Sequence, residues 1–132
     1  MIKGINHIGL AVANLEEALK RITMTLDIPM PPILEKRDWK IRAAVVQIGE
    51  IGIEILEDYG GQSSIGKFVK EKGNGVHHIC LLTDSIEKDI ETMIGRGVEM
   101  TDEKPKIGVR GKKIAFTSPG ALVGLPIELS EP

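Results

Sequence analysis

A chain of 132 residues, 42% hydrophobic and 27% charged, has the make-up of one ordinary globular unit. Its formal net charge of −2 excludes a broad basic field for nucleic acid, and no uninterrupted apolar run approaches a membrane span. The single Cys80 cannot close an internal disulfide, and Met1-Ile2-Lys3 leads into a strand with no signal or transit segment, so a cytoplasmic protein is expected.

From Ile5 to Val12 apolar and small residues alternate: Ile8, Leu10 and Val12 face one way, His7, Gly9 and Ala11 the other. The pattern predicts a strand with one imidazole on its small-residue side. Asn14, with Glu17 three positions on, is a helix N-cap signal, and Leu15, Ala18, Leu19, Ile22 and Leu26 recur at helical spacing until Pro29-Met30-Pro31-Pro32 forbids continuation. Residues 33–38 are charged and carry no period. Strand character returns from Trp39 to Ile48, a turn falls at Gly49-Glu50, and Ile51, Ile53 and Ile55 then share one face, which puts Glu54 on the opposite one with Gly52 and Leu56. Ser63 or Ser64 caps a short helix through Ile65, Phe68 and Val69 that ends at Gly73. A second round follows: a strand from Val76, a helix from Ser85 through Ile86, Ile90, Met93 and Ile94, a long loop 101–111, a strand from Ile114 to Thr117, and a closing Pro126-Ile127-Glu128-Leu129.

The second round repeats the first. Gly4/Gly75, His7/His78, Ile8/Ile79, Leu10/Leu81, Glu16/Glu87, Ala44/Ala115 and Gly49/Gly120 are identical pairs at a constant offset of 71. Ile127-Glu128-Leu129 answers Ile53-Glu54-Ile55 at an offset of 74, which implies three extra residues in the second turn. The expected organisation is therefore one domain of two βαβββ modules, 1–58 and 75–132, joined by a linker helix within 59–74. If the modules relate by a pseudo-twofold axis, His7, Glu54, His78 and Glu128 converge. Two imidazoles and two carboxylates suit a divalent first-row metal with open positions for water or substrate oxygen. A single strand histidine is ordinarily structural; two at repeat-equivalent positions, each matched by a strand glutamate, argue for ligands. Cys80 reads as a small core residue, and His77, facing away from His78, as packing. Arg42, Trp39 and the loop Gly108-Val109-Arg110-Gly111-Lys112-Lys113 stay open between substrate contact and ordinary surface.

His7-Ile8-Gly9-Leu10-Ala11-Val12, Ser64-Ile65-Gly66-Lys67-Phe68, Gly75-Val76-His77-His78-Ile79, Gly111-Lys112-Lys113-Ile114-Ala115-Phe116 and Ile127-Glu128-Leu129 together resemble the methylmalonyl-CoA epimerases of the vicinal oxygen chelate superfamily, to which glyoxalase I also belongs. The resemblance spans nearly the whole chain. It implies an α+β fold in which the modules form a cupped mixed sheet around a central metal, and a homodimer in solution. It implies His7, His78 and Glu128 as ligands of cobalt, manganese, nickel or zinc, with Glu54 in the fourth place. The activity it implies interconverts the epimers of a methylmalonyl-CoA-like CoA thioester: the metal stabilises the enolate while carboxylates move the α-proton, Glu128 foremost and Glu54 beside it.

Where some epimerases carry a catalytic glutamate this chain reads Arg42-Ala43-Ala44, leaving Glu35 and Glu50 as substitutes of little promise. The family's histidine in a Gly-x-His-Gly loop is Arg110, and its His-Pro is Ser118-Pro119. The same four ligands would serve a lyase of the glyoxalase I type acting on lactoylglutathione, and the same fold without metal would serve a small-molecule-binding protein. An extradiol dioxygenase, which usually has more modules and a three-residue facial site, fits less well.

Overall fold

The computed structural model describes every residue, Met1–Pro132. The fold is α+β, with elements in the order β1 (Ile2–Ala11), α1 (Leu15–Leu26), β2 (Leu34–Lys36), β3 (Ile41–Ile48), β4 (Ile51–Asp58), α2 (Ser64–Lys72), β5 (Gly75–Thr83), α3 (Ile86–Gly95), β6 (Lys106–Ile107), β7 (Lys113–Phe116) and β8 (Ile127–Ser130). Two strands escaped the sequence pattern. The charged stretch 33–38 contains β2, and the loop 101–111 contains β6. Both are short end strands that pair through their backbones, so no side-chain period marks them. No helix is long and apolar enough to cross a membrane.

The chain packs as two compact units, residues 9–77 and residues 1–8 with 78–132. In the first, β2, β3 and β4 form an antiparallel ladder with the end of β1 beside β4. The two-residue turn at Gly49-Glu50 needs a left-handed residue, which Gly49 supplies at φ +62°. Helix α1 starts where Asn14 Oδ1 accepts the Glu17 amide at 2.9 Å. It ends at a left-handed Asp27, whose N–H returns to the Thr23 carbonyl just ahead of the prolines. Its apolar stripe, Leu15 and Leu19, is buried against Val12, Ala44, Val46 and Ile55. After β4, the Asp58 carboxylate gathers the amides of Gly60, Gly61 and Ser63, and Ser63 Oγ caps α2 through the Ile65 amide.

In the second unit the strand order is β1-β5-β8-β7-β6. Strand β8 lies parallel to β5, with Cys80 opposite Glu128, and antiparallel to β7, with Phe116 opposite Glu128. Helix α3 covers this sheet through Ile86 and Ile90, which pack with Met100, Ala115 and Leu129. Ser85 occupies the N-cap position without a side-chain cap; Glu131 Oε1 accepts the Ile86 amide instead, at 3.0 Å. The longer β7–β8 connection is closed by Thr117, whose Oγ1 accepts the Ile127 amide.

Candidate metal centre

Strand alternation carries His7 into the buried face of β1 with Gly9 and Ala11, and His78 into that of β5 with Cys80. These faces, read from sequence as small-residue fronts, are more enclosed than the aliphatic backs: Ile8, Leu10, Ile79 and Leu81 are only half-buried. Strand β8 is buried along its whole length, Glu128 included. The structure thus brings three of the four expected residues together in one unit, with His7 2%, His78 1% and Glu128 4% exposed.

The Nε2 atoms of His7 and His78 are 3.2 Å apart, with the rings edge-to-face. Glu128 Oε2 lies 3.1 Å from His78 Nε2, and Oε1 lies 3.7 Å from His7 Nε2. Donors bound to one ion at about 2.0–2.2 Å, and subtending 90–110° at it, are about 3.0–3.5 Å apart. The two separations at His78 Nε2 fall in that range and the third, to the other carboxylate oxygen, is slightly longer; with two imidazoles and a carboxylate as donors, the residues present fit a divalent metal. The protonation states fit as well. Burial pushes the His7 imidazolium down to about 4, with Glu128 opposing the shift and His78 and Arg110 adding to it. Burial pushes the Glu128 carboxyl up, but the hydrogen bond from His78 and its charge, with lesser help from His7 and Cys80, outweigh it and hold the group below the usual carboxylate range. At neutral pH the site presents a neutral His7 and an anionic Glu128, as a cation requires of its ligands.

Glu54, in the unit 9–77, is buried at 6% exposure on the face of β4 that Gly52 and Leu56 share, opposite Val45 in the β3–β4 register. Cys80 is fully buried, as its reading as a core residue requires, yet the ligating atoms of His7, Cys80 and Glu128 all lie within 4.8 Å of one another. Its position two residues after His78 on one strand face was the available signal. Behind His7 stand Asn6, which no sequence pattern marks, and Arg110, which entered as part of the open glycine loop. Asn6 Oδ1 is 2.7 Å from His7 Nδ1, and Arg110 Nη1 is 2.9 Å from the same oxygen and 3.3 Å from Nδ1.

The open residues resolve differently. His77 is buried and packs edge-on against Phe68. Arg42 is held between Glu57 and Glu16, and Trp39 lies under the Lys36 ammonium. Ala43 is fully buried and carries no ionisable group. Glu35 accepts the Tyr59 hydroxyl at the surface, and Glu50 sits exposed in the β3–β4 turn. In the glycine loop Lys113 pairs with Glu87 and Lys112 is exposed, so its one contact with the donor group is Arg110.

The pattern of the glyoxalase/bleomycin resistance protein/dioxygenase superfamily matches residues 6–116. The mitochondrial methylmalonyl-CoA epimerase of Dictyostelium discoideum is 30% identical over 128 residues, which are 96% of this chain and 77% of that protein. The ethylmalonyl-CoA/methylmalonyl-CoA epimerase of Cereibacter sphaeroides is 29% identical, with 99% of each chain covered. A methylmalonyl-CoA epimerase solved in complex with methylmalonyl-CoA and ammonium matches with a TM-score of 0.92 at 26% identity, over 99% of this chain and 95% of that one. The chain belongs to the glyoxalase/bleomycin resistance protein/dioxygenase superfamily and, within it, to the family of the methylmalonyl-CoA epimerases.

Proposed function

We propose that this protein is an isomerase that inverts the α-carbon of methylmalonyl-CoA or a close acyl-CoA by removing and returning its α-proton. The relatives with that name support the substrate class. The observation that carries the reaction is the buried convergence of His7, His78 and Glu128. A divalent metal held by these three residues would polarise the thioester carbonyl as a Lewis acid and so acidify the adjacent carbon. Glu54 joins the set on the strength of the repeat, in which Ile53-Glu54-Ile55 answers Ile127-Glu128-Leu129.

Glu128 is assigned one of the two proton transfers, with Glu54 as its candidate counterpart. Ionised and shielded from water, the Glu128 carboxylate is ready to accept a proton at neutral pH. His78 fixes its orientation through Oε2, which leaves Oε1, with its longer contact, the freer oxygen. Ala43 takes no part in proton transfer, and Glu35 is committed to Tyr59. The protein is further proposed to act as a cytoplasmic homodimer, with Cys80 reduced.

The decisive experiment follows the α-proton of methylmalonyl-CoA by NMR in deuterated water, first with metal-free protein and then after reconstitution with cobalt or manganese. Metal-dependent exchange with interconversion of the epimers is expected, and Glu128→Gln should lower it by more than its loss of bound metal explains. A protein that takes up metal but exchanges no α-proton would sink the proposal.

A further inference from the structure

The polar contacts behind His7 decide which of its nitrogens faces the centre. An arginine can only donate hydrogen bonds, so the Asn6 atom at 2.9 Å from Arg110 Nη1 is the amide oxygen. That oxygen can only accept, so His7 Nδ1, 2.7 Å away, carries the proton and donates it. Were Nδ1 unprotonated, two lone pairs would face each other at hydrogen-bond distance. His7 Nε2 is then the lone-pair nitrogen, and it points at His78 Nε2 and Glu128. Arg110 Nη1 also stands 3.3 Å from Nδ1, but its shorter contact, 2.9 Å, is with the Asn6 oxygen, and there it donates.

We propose that Asn6 and Arg110 are positioning residues that lock His7 in its Nδ1–H tautomer and so make it a pre-set metal ligand. Arg110 can do this because its loop is built to hold it. Gly111 donates to the Gly108 carbonyl at 3.0 Å with φ +77°, Gly108 donates to the Lys112 carbonyl at 2.9 Å, and the Gly108 backbone lies close against the Ile114 side chain. Two of the loop's amides, those of Gly108 and Gly111, are thus spent inside the loop. The loop delivers one guanidinium, 104 residues from Asn6 in sequence, to the rear of a ligand. Groups that hold the far nitrogen of a ligating imidazole typically change metal affinity 10- to 100-fold when removed. His78 has a different environment: its ring packs edge-on against Phe116, and its Nε2 meets Glu128.

The inference rests on His7 being a metal ligand, and its test separates the two ideas. The ring-nitrogen shifts of His7 would be read by NMR in the metal-free full-length protein at pH 7.5, and zinc affinity would be measured separately. In the wild type His7 should be the Nδ1–H tautomer. Asn6→Ala and Arg110→Ala should give mixed tautomers and zinc binding weaker by about 10- to 100-fold. Asn6→Asp, which keeps the acceptor, and Arg110→Lys, which keeps a donor, should restore a single tautomer and most of the affinity. A mere loss of packing would not be rescued in that pattern. An Nε2–H tautomer in the wild type, or unchanged tautomer and zinc affinity in both alanine variants, would overturn the proposal. Absence of zinc binding by the wild type would remove the metal reading, while the tautomers would still judge the lock.

Discussion

Replacing Glu57 by alanine should cost far more stability than replacing Glu16, although both carboxylates grip Arg42. Glu57 takes Arg42 Nε at 3.0 Å and Nη2 at 2.6 Å on one oxygen, and the first amide of helix α1, Leu15 N, at 3.1 Å on the other. Its side chain is 12% exposed, against 56% for Glu16. Removing a buried partner of an ion pair costs about 3–5 kcal/mol when the remaining charge is stranded. Here Arg42 is a quarter exposed and keeps Glu16, so the loss falls to about 2–3 kcal/mol, including the uncapped amide. For a chain of this length that corresponds to a drop in Tm of about 7–11 °C. Urea denaturation of both variants, with slopes compared to confirm two-state behaviour, measures the contrast. Equal losses for Glu57→Ala and Glu16→Ala would refute the assignment of Arg42 to structure and return it to the list of substrate contacts.

His78→Ala should abolish stoichiometric metal binding while circular dichroism shows the fold retained; unchanged metal content by elemental analysis would contradict the proposed centre. Metal-free protein should lose stability as the pH falls from about 6.5 towards 4. His7 is held near 4 in the fold, so the unfolded chain takes up the proton first; the loss between pH 7 and 4.5 is about 2 kcal/mol by urea unfolding. In His7→Gln that dependence should vanish, and an unaltered slope would show another group to be responsible. Gly66→Ala should destabilise by about 1–3 kcal/mol, because a Cβ there would stand 2.6 Å from Asp58 Oδ2 and 2.9 Å from the Gly61 Cα. Gly95→Ala, near the end of α3 with open space around it, should instead stabilise by about 0.5–1 kcal/mol, and thermal melts that reversed this order would refute both readings.

The repeat made the helices and principal strands legible, and with them His7, His78 and Glu128, because strand alternation survives duplication. The Arg42–Glu57 pair was within reach as well. A two-residue turn at Gly49-Glu50 sets Ile48 against Ile51, and an antiparallel ladder extended from there puts Arg42 opposite Glu57. Cys80 against Glu128 could not be reached that way, since β5 and β8 are parallel and no turn sets their register. Arg110 was out of reach for a related reason: a glycine loop has no period, and its direction depends on how Gly108 packs on Ile114.

Duplication sets backbone positions equal, but it does not make the two histidines equivalent. Asn6 of the first module answers His77 of the second, and the two behave differently: Asn6 accepts from His7, whereas His77 packs on Phe68. Phe116, beside His78, answers Val45, which offers no ring. The groups seen around the two imidazoles therefore differ. Hydrogen bonds fix His7 from behind. Ring packing fixes His78 from the side and a carboxylate fixes it from the front. Such an arrangement predicts unequal losses. Without His7 the pair His78–Glu128 keeps its own 3.1 Å contact. Without His78, Glu128 loses the contact that holds Oε2 and keeps only the longer approach to His7 and the hydrogen bond with Cys80. Alanine at position 78 should therefore weaken zinc binding more than alanine at position 7, and isothermal titration showing the reverse order would mean that Glu128 is oriented by something other than His78.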